Sequence, residues 1–508
     1  MSGNSSVVPP GLRHCRDLLS RRVSGLVRST GLVAAPCESR VLESALLLHL
    51  LTAESVAPEA SGRLRRHLTA RITGDPPDVL QTTFARVALG ESGVTGSGVD
   101  AALSSFEHFS AGRKQLMFRT LLAELGAGDF PHPVPDRADT GHHQSWLRLE
   151  MRAVKVLAAH GTGTPSAVTA DDWAFLAPAV RPGAVWEGNH LARLLGLLAL
   201  RHHPAHRPAV RKTLIRVAGE LRPDGGLPFV TGLDVFATAI AGSALARTSP
   251  DRDLVTRMAD ALAAEQHPDG GLGYTTGVDQ SDVDDTSYTV EFLRAAARRR
   301  HAAAIVAAEA FLLRQRNPDG GFPTFARGGP SETAITAAAA GALAANPAHR
   351  WAAEGAVSCV LERSGPGAPV ERSWSRNATN ALFRTALACD SVTEHAPRLL
   401  RTAAAAHRRH VTGRLLATQC PDGGWGHRAG DPSDPISTAY AVIALAADPL
   451  RVTALHRALS YLVERQRPHG GYHSRPDQAG PRPLLYDVPA LADVCVLLAL
   501  AHAAPAPR

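Results

Sequence analysis

At 508 residues, with 44% hydrophobic and 20% charged side chains, the chain reads as a soluble protein of two or three largely helical domains, not as a fibrous, disordered or membrane-spanning one. The net charge of +7 rests on scattered arginines, Lys114, Lys155 and Lys212 being the only lysines, so nucleic acid is not an expected partner, while an anionic small substrate is compatible with it. Six cysteines without a CxxC pair exclude a zinc ribbon and a disulfide framework and point to a reducing cytoplasm.

Residues 1–12 read as a disordered tail, lacking the charged start and apolar stretch of a leader, and no later run approaches the ~18 apolar residues a spanning helix needs. Helical patterning follows in "ESRVLESALLLHLLTA" (38–53), "SWLRLEMRAVKVLAAHG" (145–161) and "NHLARLLGLLALRHH" (189–203), with loop-like stretches such as 128–143 between them. This predicts one helical domain over 13–205, bounded by the proline- and histidine-rich segment 201–210.

Beyond it a turn recurs: "LRPDGGLPF", "QHPDGGLGY", "QRNPDGGFPTF", "QCPDGGWGH" and "QRPHGGYHS", with the residue before its paired glycines at 224, 269, 319, 422 and 469. The copies lie roughly 48 residues apart with one double gap, where the degenerate "RSGPGAPVERSW" (363–374) stands, and a period of this size marks a repeated supersecondary unit. Each unit is a Leu/Ala-rich helix, a turn that only glycine tolerates, and a second helix such as "STAYAVIALAAD" (437–448). Such hairpins close into a double-layered α-α barrel over 206–508; an open helical solenoid is the alternative.

"GVDQSDVDDTSYTVEF" (277–292) sets four aspartates ahead of an apolar helix. Asp279 belongs to the turn, and one of Asp282, Asp284 and Asp285 caps the helix and favours its dipole. A cap explains one carboxylate. Three crowded at an apolar wall repel one another and raise the pKa of at least one, leaving a protonated acid as donor, or else they bind magnesium.

The Asp-Val-Asp-Asp-Thr-Ser run, together with the repeated turns across roughly residues 215–480, resembles the class II terpene cyclases, the group of the squalene-hopene cyclases and copalyl diphosphate synthases. The resemblance implies an all-α fold of two α-α barrels in the β–γ arrangement, 13–205 γ-like, with packing of its first helix on the β domain left open, and 206–508 β-like. It also implies that Asp284 is the general acid that protonates a terminal C=C bond, with Asp282 and Asp285 holding and polarising it. Two departures stand out: the family's Thr-Ala becomes Thr286-Ser287, and the next unit has no histidine to support the acid, leaving Thr333, Thr336, Asn377 and Asn380 to do so.

Triterpene cyclases line a long cavity with aromatics, whereas here aromatics are 5% and the chain is short, which argues against squalene. The reading is therefore a linear prenyl diphosphate, geranylgeranyl diphosphate first, cyclised to a bicyclic copalyl- or halimadienyl-type diphosphate with its diphosphate retained. The alternative is farnesyl diphosphate cyclised to drimenyl diphosphate. Ionisation of the diphosphate would need an Asp-Asp-x-x-Asp motif, and Asp171-Asp172 has no third acid. Tyr288, Phe325, Trp374 and Trp425 are cavity candidates, Arg327 and Arg372 diphosphate contacts, and Asp136, Asp139 and Glu150 ligands for magnesium brought with the diphosphate. Two further rivals are a non-enzymatic helical toroid and a zinc protein-prenyltransferase subunit built on Asp493, Cys495 and His502. A monomer or weak homodimer is expected.

Overall fold

Alanine and leucine, which lose little on entering a helix, fill the segments between the glycine turns, so each segment folds as a helix and each turn as a hairpin. The computed structural model describes residues 9–74, 78–91, 93–94, 101, 110–132, 144–183, 185–365, 367–448 and 451–503. Among them lie twenty α-helices, and strand is confined to two-residue pieces. None of these helices is long and apolar enough to cross a membrane. The chain divides into two compact units, one of Met1–Pro36, Leu233–Gln478 and Val488–Arg508, the other of Cys37–Gly232 and Ala479–Asp487.

The larger unit comprises α1 (Leu12–Gly25), α2 (Asp234–Thr248), α3 (Arg252–Ala264), α4 (Val283–Ala297), α5 (Ala302–Gln315), α6 (Thr333–Ala344), α7 (Arg350–Arg363), α8 (Ala378–Asp390), α9 (Arg398–Ala417), α10 (Pro435–Ala446), α11 (Val452–Arg465) and α12 (Ala490–Ala503). The even-numbered helices form a ring in which α2 packs on α4, α4 on α6, α6 on α8, α8 on α10, α10 on α12, and α12 back on α2. The odd-numbered helices pack outside them. The ring is closed, so the open solenoid is excluded and the unit is an α-α barrel.

Its turns are built alike. The first glycine of each has φ between 84° and 91° (Gly225, Gly270, Gly320, Gly423 and Gly470), a region costly for any residue with a Cβ. The preceding aspartate accepts from the second glycine's N–H, at 2.9 Å for Asp269 and Gly271 and 3.1 Å for Asp422 and Gly424. Gln266 Nε2 donates to Gly270 O at 2.8 Å and to Ala304 O of α5 at 2.9 Å, fastening the turn to the next outer helix. Gln419 does the same with Gly423 and Ala454 of α11. Gln466 joins Gly470 to Cys15 of α1, so the last turn closes on the first helix. The face of α1 that it holds, Leu12, Cys15, Leu19 and Val23, is buried at helical spacing.

The smaller unit is a set of helical hairpins. Its Val41–Ala53 helix is buried almost all round and packs against Pro58–Thr73, Val79–Leu89 and His190–Leu200, while Ser145–Gly161 packs against Ala111–Glu124 and His190–Leu200. The division departs from the expected 13–205 and 206–508 at the second boundary, while the first helix goes with the larger unit, the packing left open for it. Helix α1 falls in the larger unit because the ring needs a sixth outer helix. Residues 206–232 fall in the smaller one because the first glycine turn packs there: Asp224 accepts from Ser39 Oγ at 2.7 Å, and Gly225 lies against the backbone of Arg63. Of the expected tail, residues 1–8 lie outside the described residues, and Leu12 already starts α1.

Candidate active site

The barrel's symmetry separates the ordinary carboxylate from the exceptional ones. Where each of four inner helices begins, an acid is followed four residues on by threonine: Asp234 and Thr238, Asp282 and Thr286, Glu332 and Thr336, Asp434 and Thr438. The threonine hydroxyl accepts from the chain crossing that helix start, from Val33 N at 2.8 Å, Leu272 N at 2.9 Å, Phe322 N at 2.9 Å and Trp425 N at 3.0 Å. Asp282 caps α4 by accepting from Asp285 N at 2.8 Å, as Asp434 caps α10 by accepting from Ser437 N at 2.9 Å. Asp282 is thus the repeat's own acid. Asp284 stands where the other copies have Phe236, Ala334 and Ile436, and Asp285 where they have Ala237, Ile335 and Ser437.

The surroundings of these two acids are unlike those elsewhere in the ring. Asp285 is buried, and its Oδ1 has no hydrogen-bond partner. Asp284 is half-buried and makes no side-chain hydrogen bond to any described group. Burial pushes Asp284 up to about 7; the Arg384 guanidinium opposes this, and Asp282, Glu332 and Glu291 add to it. Burial also lifts Asp282 and Asp285 above the usual carboxylate range, and the charge of Asp282 lifts Asp285 further.

Arg384, a buried residue of α8, is the cation of the site. Its Nε donates to Tyr288 Oη at 3.1 Å, its guanidinium lies 3.7 Å from the Tyr288 ring centroid, and Nη1 is 3.7 Å from Glu291. Burial works against its charge, yet Tyr288, Glu291 and Asp284 together hold its pKa above the ordinary arginine value. Tyr288 also meets Phe236 edge to face at 5.2 Å. Tyr288, Glu291 and Arg384 line a cavity of about 330 Å³ within the ring, with Arg247 and His502, whose imidazole is pushed down to about 4 by burial and by both arginines.

The resulting arrangement is a carboxyl that is substantially protonated near neutrality, has no hydrogen bond of its own, and is backed by a fixed positive charge. Burial keeps the proton on Asp284, and Arg384 stabilises the anion left when it departs, which together suit transfer to a weak base. Sequence reasoning missed Arg384, Glu291 and Glu332. The available signals were a lone arginine in the apolar run "ALFRTALAC" (381–389), which a buried helix tolerates only when paired, and the recurring acid-x-x-x-Thr spacing.

No protein-family profile matches the chain. It is 60% identical over 501 residues to the drimenyl diphosphate synthase of Streptantibioticus cattleyicolor, across 96% of this chain and 94% of that one. It is 56% identical over 507 residues to the drimenyl diphosphate synthase of Streptomyces showdoensis, across 97% and 95%. The chain belongs to the class II terpene cyclases. This cyclase is an enzyme of isomerase type, in which the product keeps the atoms of the substrate. Among solved structures, ent-copalyl diphosphate synthase from Streptomyces platensis matches 97% of the cyclase and 100% of its own length with a TM-score of 0.57; at 18% identity this is a likeness of fold.

The other sequence candidates in the cyclase are dispersed. Thr336 is spent on the Phe322 backbone and Thr333 on Glu371, at 2.6 Å, so neither hydroxyl is placed to support Asp284. Asn377 accepts from Ser437 Oγ at 2.8 Å in a second carboxylate network, where Asp477 takes hydrogen bonds from Ser375, from Tyr440 at 3.3 Å and from the Asn377 N–H at 3.3 Å. Burial pushes Asp477 up to about 7. Asn380 sits in the first turn of α8. Trp374 donates to Thr324 Oγ1 at 3.1 Å and meets Phe325 edge to face at 5.8 Å, next to Glu332, which accepts from Thr324. Trp425 is buried and donates to Leu415 O at 2.8 Å, a packing role. Arg327 is exposed in the loop before α6, and Arg372 lines a cleft beside α8.

Asp136 and Asp139 lie outside the described residues. Glu150 is buried and both its carboxylate oxygens lack a hydrogen-bond partner; the charges of Lys114, Arg113 and Arg40 act on it together with that of Glu43. For the zinc alternative, Asp493 accepts from Tyr472 N at 2.7 Å and from Arg22 at 2.6 Å, Cys495 lies beside Tyr440, and His502 faces the inner cavity. The pair is spent on packing the last repeat. Among the described residues no cluster of three or more His, Cys, Asp or Glu could hold a metal.

Proposed function

We propose that this cyclase converts farnesyl diphosphate to drimenyl diphosphate, with Asp284 as the proton donor. The observation that carries the substrate is the near full-length identity, 60% and 56%, to two proteins named drimenyl diphosphate synthase. It moves the reading from geranylgeranyl diphosphate, ranked first on composition, to the fifteen-carbon alternative. Low aromatic content argued only for a short cation path, and both chain lengths satisfy that.

In this mechanism Asp284 delivers its proton to the CH carbon of the terminal double bond, leaving a tertiary cation on the dimethyl carbon. The second double bond attacks that cation and closes the first ring. The third closes the second ring, and loss of a proton from the last tertiary cation gives the bicyclic alkene. One proton enters and one leaves, so the reaction is an isomerisation, and the diphosphate stays attached throughout. Arg384 stabilises the carboxylate left on Asp284 by its charge, while Asp282 keeps the start of α4 in place and, with Glu332 and Glu291, raises the acid's pKa. Magnesium, where it accompanies the diphosphate, arrives with the substrate, and no step is assigned to it.

Product analysis with farnesyl and geranylgeranyl diphosphate offered in parallel tests the chain length. The expected result is a kcat/KM at least about tenfold higher for farnesyl diphosphate, the discrimination of a pocket closed against a further isoprene unit. Equal or greater efficiency with geranylgeranyl diphosphate would return the reading to the twenty-carbon substrate.

A further inference from the structure

The repeat that lost its glycine turn leaves a cavity. Every intact turn within the barrel presses its left-handed glycine onto the backbone of the next outer helix: Gly270 on Ala307, Gly320 on Gly355, Gly423 on Arg457, and Gly470 on Leu18. In the degenerate turn between α7 and α8 the left-handed residue is Gly367, and nothing lies within 4 Å of its Cβ position. Its neighbour on α9, Arg414, reaches across to Ala368 O at 3.1 Å. The space left open is a cleft of about 540 Å³ between α8, the end of α9 and the loop after Trp425.

That cleft is lined by Arg372, Arg414 and Arg428, and no carboxylate is among its described lining residues. Arg372 feels the charges of both Arg428 and Arg376, so four cations are gathered at this place. The cleft also opens on the first turn of α8, a helix of 13 residues, where the lining residue Thr379 is 2% exposed and its buried Oγ1 has no hydrogen-bond partner. Crowded guanidinium groups, an orphan buried hydroxyl and a helix start are complementary to a multiply charged, oxygen-rich anion.

We propose that this cleft is a binding site for a diphosphate group, either that of the prenyl diphosphate or free inorganic diphosphate. It deepens the reading above by giving the retained diphosphate a place to dock, and its first test is independent of that reading. In the test, inorganic pyrophosphate is titrated calorimetrically into the full chain, into Arg372→Ala/Arg428→Ala, into Thr379→Val, and into the charge-matched control Arg398→Ala/Arg401→Ala on the other end of α9. Arg372 and Arg428 are exposed, so their removal spares the core. The expected result is saturable binding that weakens tenfold or more in the double variant, weakens in Thr379→Val, and is unchanged in the control. Kinetics then identifies the source. A tenfold rise in KM for farnesyl diphosphate in the double variant, with pyrophosphate competing, assigns the site to the prenyl diphosphate. An unchanged KM, with non-competitive pyrophosphate inhibition abolished by the double variant, assigns it to free diphosphate. No saturable pyrophosphate binding, or equal binding by the double variant and the wild type, overturns the proposal. If farnesyl diphosphate is not turned over at all, the titration still decides the site while the substrate reading alone falls.

Discussion

Asp284→Asn is expected to lower turnover of farnesyl diphosphate by about 10³-fold or more, while binding of the intact substrate changes by no more than about twofold. The amide has the shape of the protonated carboxyl and cannot donate its proton to an alkene. The half-buried position with no hydrogen bond of its own means that no protein contact is lost on substitution. In the wild type, the rate should fall as pH rises through about 7, where Asp284 ionises. Stability should follow the same group. Its folded pKa is raised above its unfolded value of ~3.9, so its contribution is full below about pH 4 and is lost as pH rises through about 7. Melting curves from about pH 5 to about pH 8 should therefore decline for the wild type and decline less for the amide variant. A variant that keeps wild-type turnover would remove Asp284 from the mechanism.

The second large effect is expected at Arg384. Arg384→Met removes the only cation acting strongly on Asp284 and leaves Glu291 and Tyr288 without their buried partner. Glu291 is 36% exposed, so water takes over part of the lost pairing and the cost should be roughly 1–3 kcal/mol, which calorimetric melting would register. The kinetic signature separates a chemical role from a structural one. Without the guanidinium, the pKa of Asp284 rises, so the alkaline limb of the pH profile should move to higher pH while the plateau rate drops, since a more tightly held proton is transferred less readily. A variant that is unstable but retains the wild-type pH profile would leave Arg384 a packing residue only.

Most of the barrel is legible in the sequence because its turns are local: proline, aspartate and two glycines determine their own conformation, and their spacing counts the hairpins. What closes the barrel is not local. Helix α1 carries no turn of its own, and its only mark is an apolar face at 12, 15, 19 and 23, which does not say what it covers. The first glycine turn misled for the converse reason, being a proper copy whose packing partner, the Pro58–Thr73 helix, lies in the other unit.

The site divides in the same way. Asp284 and Asp285 stand out once Asp282 is recognised as the acid that four of the six inner helices carry at their start. Arg384 does not, because it reaches the acids from two inner helices further round the ring. Of the residues that the absence of a histidine suggested, Thr336 holds the Phe322 backbone, Thr333 bonds Glu371 and Asn377 joins a second carboxylate network, work invisible to spacing alone. Glu150 was legible as an acid in the first half of the chain, but the cations folded around it were not.

The most direct test of the account is cyclisation of farnesyl diphosphate in deuterium oxide, followed by removal of the diphosphate and mass and NMR analysis of the alcohol. Asp284 exchanges with solvent, so a product with a single deuterium, on the ring methylene adjoining the gem-dimethyl carbon, is predicted. An undeuterated product, or one released without its diphosphate, would contradict initiation by protonation.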